Sequence, residues 1–455
     1  MDNLERTREM GEESIGKLLW RFSLPATVAM AVTASYNAVD AAFVGRLGSK
    51  AIAALSVAFP AQMVFGAIAI GTGIGAGSLI SRSLGAGRTE EAQVSVGQVI
   101  ILALGIGLLL TVIGRFYLEP MLVLFGATPE ILAPAAEYMS VITDGAILLF
   151  VSFMLAHTIR AEGNAIFPMT VMIASAVTNI ILDPIFIFAL KMGIRGAAIA
   201  TLLAKVVNIV CYLWYYLGGR SVLRVALKHL RPRIGTIFEI YQVGLPTILV
   251  QVAANIALII ANKVLGGFGH AAIAVMGIIM RLQQFATLPV IGINHGLLPI
   301  IGFNYGAKKH PRVREAMIKG LVVASLFGTA AGLCFLLLPG PFIRIFTDEQ
   351  ALLTEGAAAL RIMVLMYPLI GVPFISGAYF QGIGKGAPAL FLALLRHFLL
   401  YIPLLYLFPR LFGITGIWAA APLSDFLTFL IAIFLVSHEM NRQGIPLFAR
   451  SRARG

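Results

Sequence analysis

Long apolar runs separated by short polar, Gly- or Pro-containing breaks recur along the whole chain. Several approach or exceed the ~18 to 20 residues a helix needs to cross a bilayer core. Read between charges and breakers, the runs predict twelve helices, near 18–44, 52–82, 94–114, 134–160, 166–190, 194–217, 237–263, 274–303, 316–338, 356–381, 387–408 and 414–437. An even count places both termini on one side and sorts the loops into two sets. Lys and Arg concentrate on the side of the termini, with Arg220, Arg224, Lys228, Arg231 and Arg233, then Lys308, Lys309, Arg312 and Arg314. That side is expected to be cytoplasmic. The longest strongly basic polar stretch, 218–236, is the natural linker between a lobe over 1–217 and a lobe over 237–455 that ends in a short basic tail. Orientation explains its charge, with contact to anionic lipid as an added property.

Composition removes the soluble classes. The 455 residues are 59% hydrophobic and 12% charged, against roughly 45–50% and about 25% in soluble domains. A net charge of +13 suggests nucleic acid only if it gathers on a solvated patch, and here it lies in inter-helix loops. No nucleic-acid partner is expected; the bilayer is the partner. Cys211 and Cys334 both sit in apolar runs and suggest no disulfide framework. Met1 to Lys17 is polar and lacks the apolar core and cleavage site of a signal peptide.

The chain matches itself. A shift of 221 positions lays VGRLGSKAIAA from Val44 on LGGFGHAAIAV from Leu265, and pairs Gln62 with Gln283, Gly71 with Gly292, and Gly75 with Gly296. At a shift of 220, Met192 to Gly196 meets Phe412 to Gly416, and Pro168 meets Pro388. The expected architecture is an all-α integral membrane protein of 12 transmembrane helices. Its two six-helix bundles are related by a pseudo-two-fold axis along the membrane normal, a layout suited to alternating access around a central cleft. The duplication leaves a channel made of repeats open as an alternative. The run Gly66, Gly71, Gly73, Gly75, Gly77 lies in an apolar helix with no preceding strand and no GK[ST] ending, so close helix packing explains it better than phosphate binding.

Intramembrane acids are costly, by roughly 2.5 to 3.5 kcal/mol on insertion scales, and ask for a reason. Asp40 has Tyr36 one turn earlier and Asn37 beside it; Asp183 has Asn179 one turn earlier. Two acids, an amide and a nearby hydroxyl such as Thr201 supply only hard oxygen ligands, suited to a proton or to Na⁺. One proton shared by two sequestered acids and released in a wetter conformation makes a switch. The structural alternative is that Asp40 caps a helix end while Asp183, followed by Pro184, satisfies backbone groups at a kink. Pro25 lies ~22 Å along the first helix from Asp40, and either bends that helix or stands statically in its first turn. Tyr36, Met63, Phe153, Met154 and Met172 are candidates for a soft, aromatic cleft lining, with ordinary packing as the alternative for each. Arg396 and Asp425 are placed to pair, and Lys205 to snorkel or approach Asp183.

Two stretches carry a resemblance. From Leu24 the chain reads LPATVAMAVTASYNAVDAAFVGRLGSKAIAALSVAFP, and Thr178-Asn179-Ile180-Ile181-Leu182-Asp183-Pro184 is followed by Gly193-Ile194-Arg195-Gly196-Ala197-Ala198. Both resemble motifs of the MATE family of multidrug and toxin extrusion transporters, and the likeness runs over nearly the whole chain. An acidic pair in the first half is similar to the DinF-like branch. The repeat equivalents of Asp40 and Asp183 are Ala261 and the carboxylate-free Ile402-Pro403 region, and Gln251 stands where the NorM-like branch places an acid. The resemblance implies a V-shaped pair of lobes and a first-lobe cation site of Asp40, Asn179, Asp183 and Thr201, with the Ala197 carbonyl as a fifth ligand and Na⁺ as the metal if coupling is by sodium.

The function implied is a monomeric efflux antiporter of the cell (inner) membrane, exporting amphipathic, often cationic compounds against H⁺ or Na⁺, with no other cofactor. A lipid-linked sugar flippase of the same superfamily is the alternative, disfavoured by an acidic rather than basic cleft. An intramembrane prenyl or glycosyl transferase lacks its repeated metal-diphosphate motif, and no enzyme activity is expected. A scaffold or channel does not need an acid pair confined to one half.

Overall fold

In a membrane every backbone N–H and C=O must be paired within the protein, which favours continuous helices wherever the chain is apolar. The computed structural model of the chain describes residues 3–447, and among these helices are the only extended regular elements. They are α1 (Asn3–Glu12), α2 (Ile15–Gly45), α3 (Ser49–Gly85), α4 (Thr89–Leu124), α5 (Pro129–Asp144), α6 (Ala146–Ala161), α7 (Ile166–Pro184), α8 (Gly193–Leu217), α9 (Ile234–Gly266), α10 (His270–Gly306), α11 (His310–Leu337), α12 (Pro339–Arg344), α13 (Gln350–Met363), α14 (Tyr367–Gly382), α15 (Gly386–Leu394), α16 (Ile402–Phe412) and α17 (Ile414–Arg442). Most of the expected basic tail lies outside the described residues.

Among the described residues, ten helices are long and apolar enough to span a membrane by themselves. The predicted helices at 134–160 and 356–381 are instead bent pairs, α5 with α6 by 54° and α13 with α14 by 53°; counting each pair as one span gives 12. The break falls at Gly145, just after Asp144, in the first pair and at 364–366, just before Tyr367-Pro368, in the second. Two other spans carry π-helical turns, Ile185–Ala189 after Pro184 and Leu395–Tyr401 before Pro403. There each proline lacks an N–H for the regular ladder.

The repeat is visible in the elements. Helices α3 and α10 are each 37 residues long and start 221 positions apart. Gly48 and Gly269 precede them at φ 112° and 107°, a conformation that side-chain-bearing residues rarely adopt. Two compact units divide the chain: the first holds the residues through Glu12 and Val28–Ile248, the second Glu13–Thr27 and Leu249 onward. One boundary falls between α1 and α2, and the other two fall in mid-helix, at repeat-equivalent points of α2 and α9, so the first halves of these long helices pack outside the unit that holds their second halves.

In the first unit, α3 and α9 touch backbone to backbone. A Cβ on Gly75 would lie 2.0 Å from the Ile240 carbonyl oxygen, and one on Gly244 would lie 2.4 Å from that of Gly71. The second unit repeats the crossing, with Gly292 against Thr27 and Gly296 against Ser23. The glycine run is therefore helix packing, as its spacing indicates. The basic linker also belongs to the first unit. Buried Gln98 donates to the carbonyls of His229 (3.1 Å) and Arg231 (2.9 Å) and accepts from the Arg233 N–H (2.8 Å). Glu162, at the end of α6, accepts from Ser221 Oγ (2.6 Å) and the Val222 N–H (3.1 Å). Burial pushes its carboxyl up to about 7.

Candidate functional site

The acids lie in the first unit, on α2 and α7. Asp183 is fully buried, Asn179 is 1% exposed and Asp40 8%. Four-residue spacing stacks Asn179 over Asp183 on one face of α7, and the Asn179 amide donates to Asp183 Oδ1 at 3.2 Å. Asp40 stands close enough to interact electrostatically with Asp183. Three buried acceptor atoms, Asp40 Oδ1, Asn179 Oδ1 and Asp183 Oδ2, have no hydrogen-bond donor. Buried acceptors are nearly always paired, since leaving one bare costs about 1–3 kcal/mol. Three bare oxygens on these neighbouring side chains fit a proton or a hard cation. Among the described residues no group of three His, Cys, Asp or Glu forms a site for a softer metal.

Helix α8 packs beside α7 because Gly196 lets it approach the π-helical turn; a Cβ there would lie 2.7 Å from the Phe186 backbone. Ala197 on this helix is buried and Thr201, one turn on, is half-buried. Thr201 makes no hydrogen bond to either acid among the described residues, so the structure brings Asp40, Asn179 and Asp183 together and leaves Thr201 on the neighbouring helix.

The lining candidates separate. Tyr36 and Phe153 are half-buried and share a neighbour, the Lys205 ammonium, which lies 5.5 Å and 5.3 Å from their ring centres. Met63 and Met172 are half-buried. Met154 is fully enclosed in the apolar core of the unit, and Asn37 is exposed. Pro25 is buried within α2, in the part that packs with the second unit. Lys205 does not pair with Asp183: no carboxylate lies within salt-bridge distance of it among the described residues.

One residue was not anticipated. Buried Tyr138 on α5 stands within electrostatic reach of Asp40, Tyr36 and Asp183, beside Gln62 on α3. The repeat held a signal for this. Gln62 aligns with Gln283, and Gln283 stands beside a buried tyrosine of its own, Tyr367. A polar residue kept in both copies of an apolar helix marks a buried partner, although the partner itself differs.

The second unit treats its acid differently. Arg396, in the π-helical turn, donates from Nε to Asp425 Oδ1 at 2.7 Å, and Ser424 Oγ donates to the Arg396 carbonyl at 2.8 Å. The expected pair is present. It borders a cavity of about 110 Å³ lined by Met276, Met280, Gln283, Met363, His397 and Tyr401 among others. Asp425 is thus neutralised by a guanidinium, whereas among the described residues Asp40 and Asp183 have none.

Comparison with known proteins agrees with this architecture. The multidrug export protein MepA of Staphylococcus saprophyticus is 29% identical over 427 residues, covering 93% of this chain and 94% of that one. MepA of Staphylococcus aureus is 27% identical over 421 residues, covering 92% and 93%. Among solved structures, an outward-facing multidrug resistance MATE family transporter of the MOP superfamily superposes with a TM-score of 0.91 at 26% identity, covering 99% of each chain. A MATE in the bent conformation gives a TM-score of 0.92 at 26% identity, covering 98% of each. The pattern of the MatE family matches residues 25–185 and 246–407, one segment in each repeat. With twelve spans, two repeated halves and both segments matched, the chain belongs to the MatE family of integral membrane transporters.

Proposed function

We propose that this protein is a secondary-active antiporter that exports amphipathic organic compounds, cationic ones included, in exchange for H⁺ or Na⁺. The ion binds at Asp40, Asn179 and Asp183, with Thr201 and the Ala197 carbonyl completing the shell when α8 shifts toward α7. What carries this reading is the contrast between the units: one holds an acid pair with bare buried oxygens, the other an acid neutralised by Arg396. The relatives named multidrug export proteins support the substrate class. The acid pair in the first half supports a place in the DinF-like branch. The two repeat copies, 1–217 and 237–455, are joined by the basic linker 218–236, whose charge supports cytoplasmic termini in the cell membrane. A monomer suffices, since each copy of the chain carries both repeats.

Coupling is a matter of linkage. If the bound ion weakens substrate binding by some factor, substrate weakens ion binding by the same factor. Alternating access then converts the antagonism into exchange. The test is reconstitution into liposomes under an imposed pH or Na⁺ gradient, following ethidium efflux. Asp40→Asn and Asp183→Asn are each expected to abolish the gradient-driven component. Undiminished driven efflux in both variants removes the coupling site.

A further inference from the structure

The pair formed by Arg396 and Asp425 leaves more hydrogen-bonding capacity open than it uses. Arg396 donates from Nε alone to Asp425 Oδ1, at 2.7 Å, and among the described residues its two terminal nitrogens and Asp425 Oδ2 have no hydrogen-bond partner. A guanidinium commonly meets a carboxylate through two parallel bonds, so this contact is half made. The Phe374 ring, with its centre 5.9 Å from the guanidinium carbon, attracts the charge but satisfies none of the N–H donors. Both charged side chains line the cavity of about 110 Å³ in the second unit, whose wall is otherwise soft and apolar, with Met276, Met280, Met363 and Ala421. Every lining residue belongs to that unit, and Met280 is 38% exposed, which leaves the cavity reachable from the side of α10. An apolar cavity of about 150 Å³ takes up a benzene ring. The smaller, partly open cavity here matches one ring whose polar group reaches Arg396.

We propose that this cavity is a second small-molecule site, separate from the ion site of the first unit and selective for compact neutral aromatic amides. The amide oxygen accepts from the open Arg396 nitrogens, the amide N–H donates to Asp425 Oδ2, and the ring packs against the three methionines, whose thioethers favour aromatic contact. Donor and acceptor stand side by side because Arg396 and Asp425 are bonded to each other, and an amide presents the complementary acceptor and donor at similarly close spacing. Charge decides the selectivity. The two side chains cancel, so a carboxylate or an ammonium gives up its hydration without meeting a net countercharge, whereas a neutral amide gives up far less. The site goes beyond the antiport reading and does not depend on it.

The test uses three probes of one shape: para-fluorobenzamide, para-fluorobenzoate and para-fluorobenzylammonium. Binding to the purified full chain in detergent is read by broadening of the fluorine NMR line, with protein-free detergent subtracted. The amide is expected to bind saturably and roughly tenfold or more tighter than either charged analogue, as one charge-assisted hydrogen bond implies. Ala421→Leu, which fills the cavity and keeps the ion pair, is expected to weaken the amide by a similar factor. So is Arg396→Lys, which keeps a charge opposite Asp425 but loses the planar fork. Equal affinity for the three probes in the unaltered protein overturns the proposal without any variant. Amide binding that survives both variants overturns it too, and the absence of saturable amide binding leaves a cavity that holds only water. Gradient-driven ethidium efflux, scored separately, bears on the antiport reading alone.

Discussion

Gly75→Ala adds one methyl group where α3 crosses α9, and the backbone geometry there sets its cost. The new Cβ would fall 2.0 Å from the Ile240 carbonyl oxygen and 2.9 Å from its carbon, whereas ordinary contact begins at 3.4 Å. The obstacle is helical backbone, so no rotamer change relieves it, and the helices must part by over an ångström along a contact that includes Gly71 against Gly244. Overpacking a tight core by less than this costs about 1–3 kcal/mol, and here the loss reaches about 3 kcal/mol because neighbouring backbone contacts open together. Gly66→Ala is the control within the same helix. A Cβ there meets nothing within 4 Å, and alanine's better helix propensity contributes up to about 1 kcal/mol in the other direction. Thermal unfolding in detergent, followed by retention of the monodisperse peak on size exclusion, reads both. Gly75→Ala is expected to melt well below the unaltered protein and Gly66→Ala at or above it. Equal melting of the two variants refutes the argument from the crossing.

Two further outcomes concern charges outside the proposed coupling site. Arg396→Ala leaves Asp425 in a poorly hydrated bundle and is expected to cost roughly 3 kcal/mol, measured by thermal unfolding. Exchanging the two, Arg396→Asp with Asp425→Arg, is expected to recover part of the loss, and no recovery argues that packing rather than charge holds this turn. Glu162 has a folded-state pKa pushed up to about 7 from 4.5, so its contribution is most favourable below pH 4.5 and is lost as pH rises toward 7. The loss is on the order of 3 kcal/mol. Glu162→Gln is expected to flatten this part of the melting profile between pH 5 and 8, and an unchanged slope in the variant excludes Glu162 as its source.

Much of this protein was set by local chemistry. Apolar runs of bilayer length determined the helices, a shift of 221 positions determined the repeat, and two acids in otherwise apolar helices located the candidate site. These properties depend on residues near one another in the chain or on chain-wide periodicity, and so they can be read without coordinates. Four features depended on contacts between distant segments. The bends at Gly145 and at 364–366 split runs each long enough for one straight helix, and neither Asp144 nor Pro368 beside them fixes a bend by itself. The two compact units cut α2 and α9 in mid-helix rather than at the linker. Tyr138 beside the acids is 98 residues from Asp40 in sequence. Lys205 is held by rings on two other helices instead of a carboxylate. A helix displays its residues on every side, and only packing decides which side meets which neighbour; hydropathy names the solvent of a helix but not its partners.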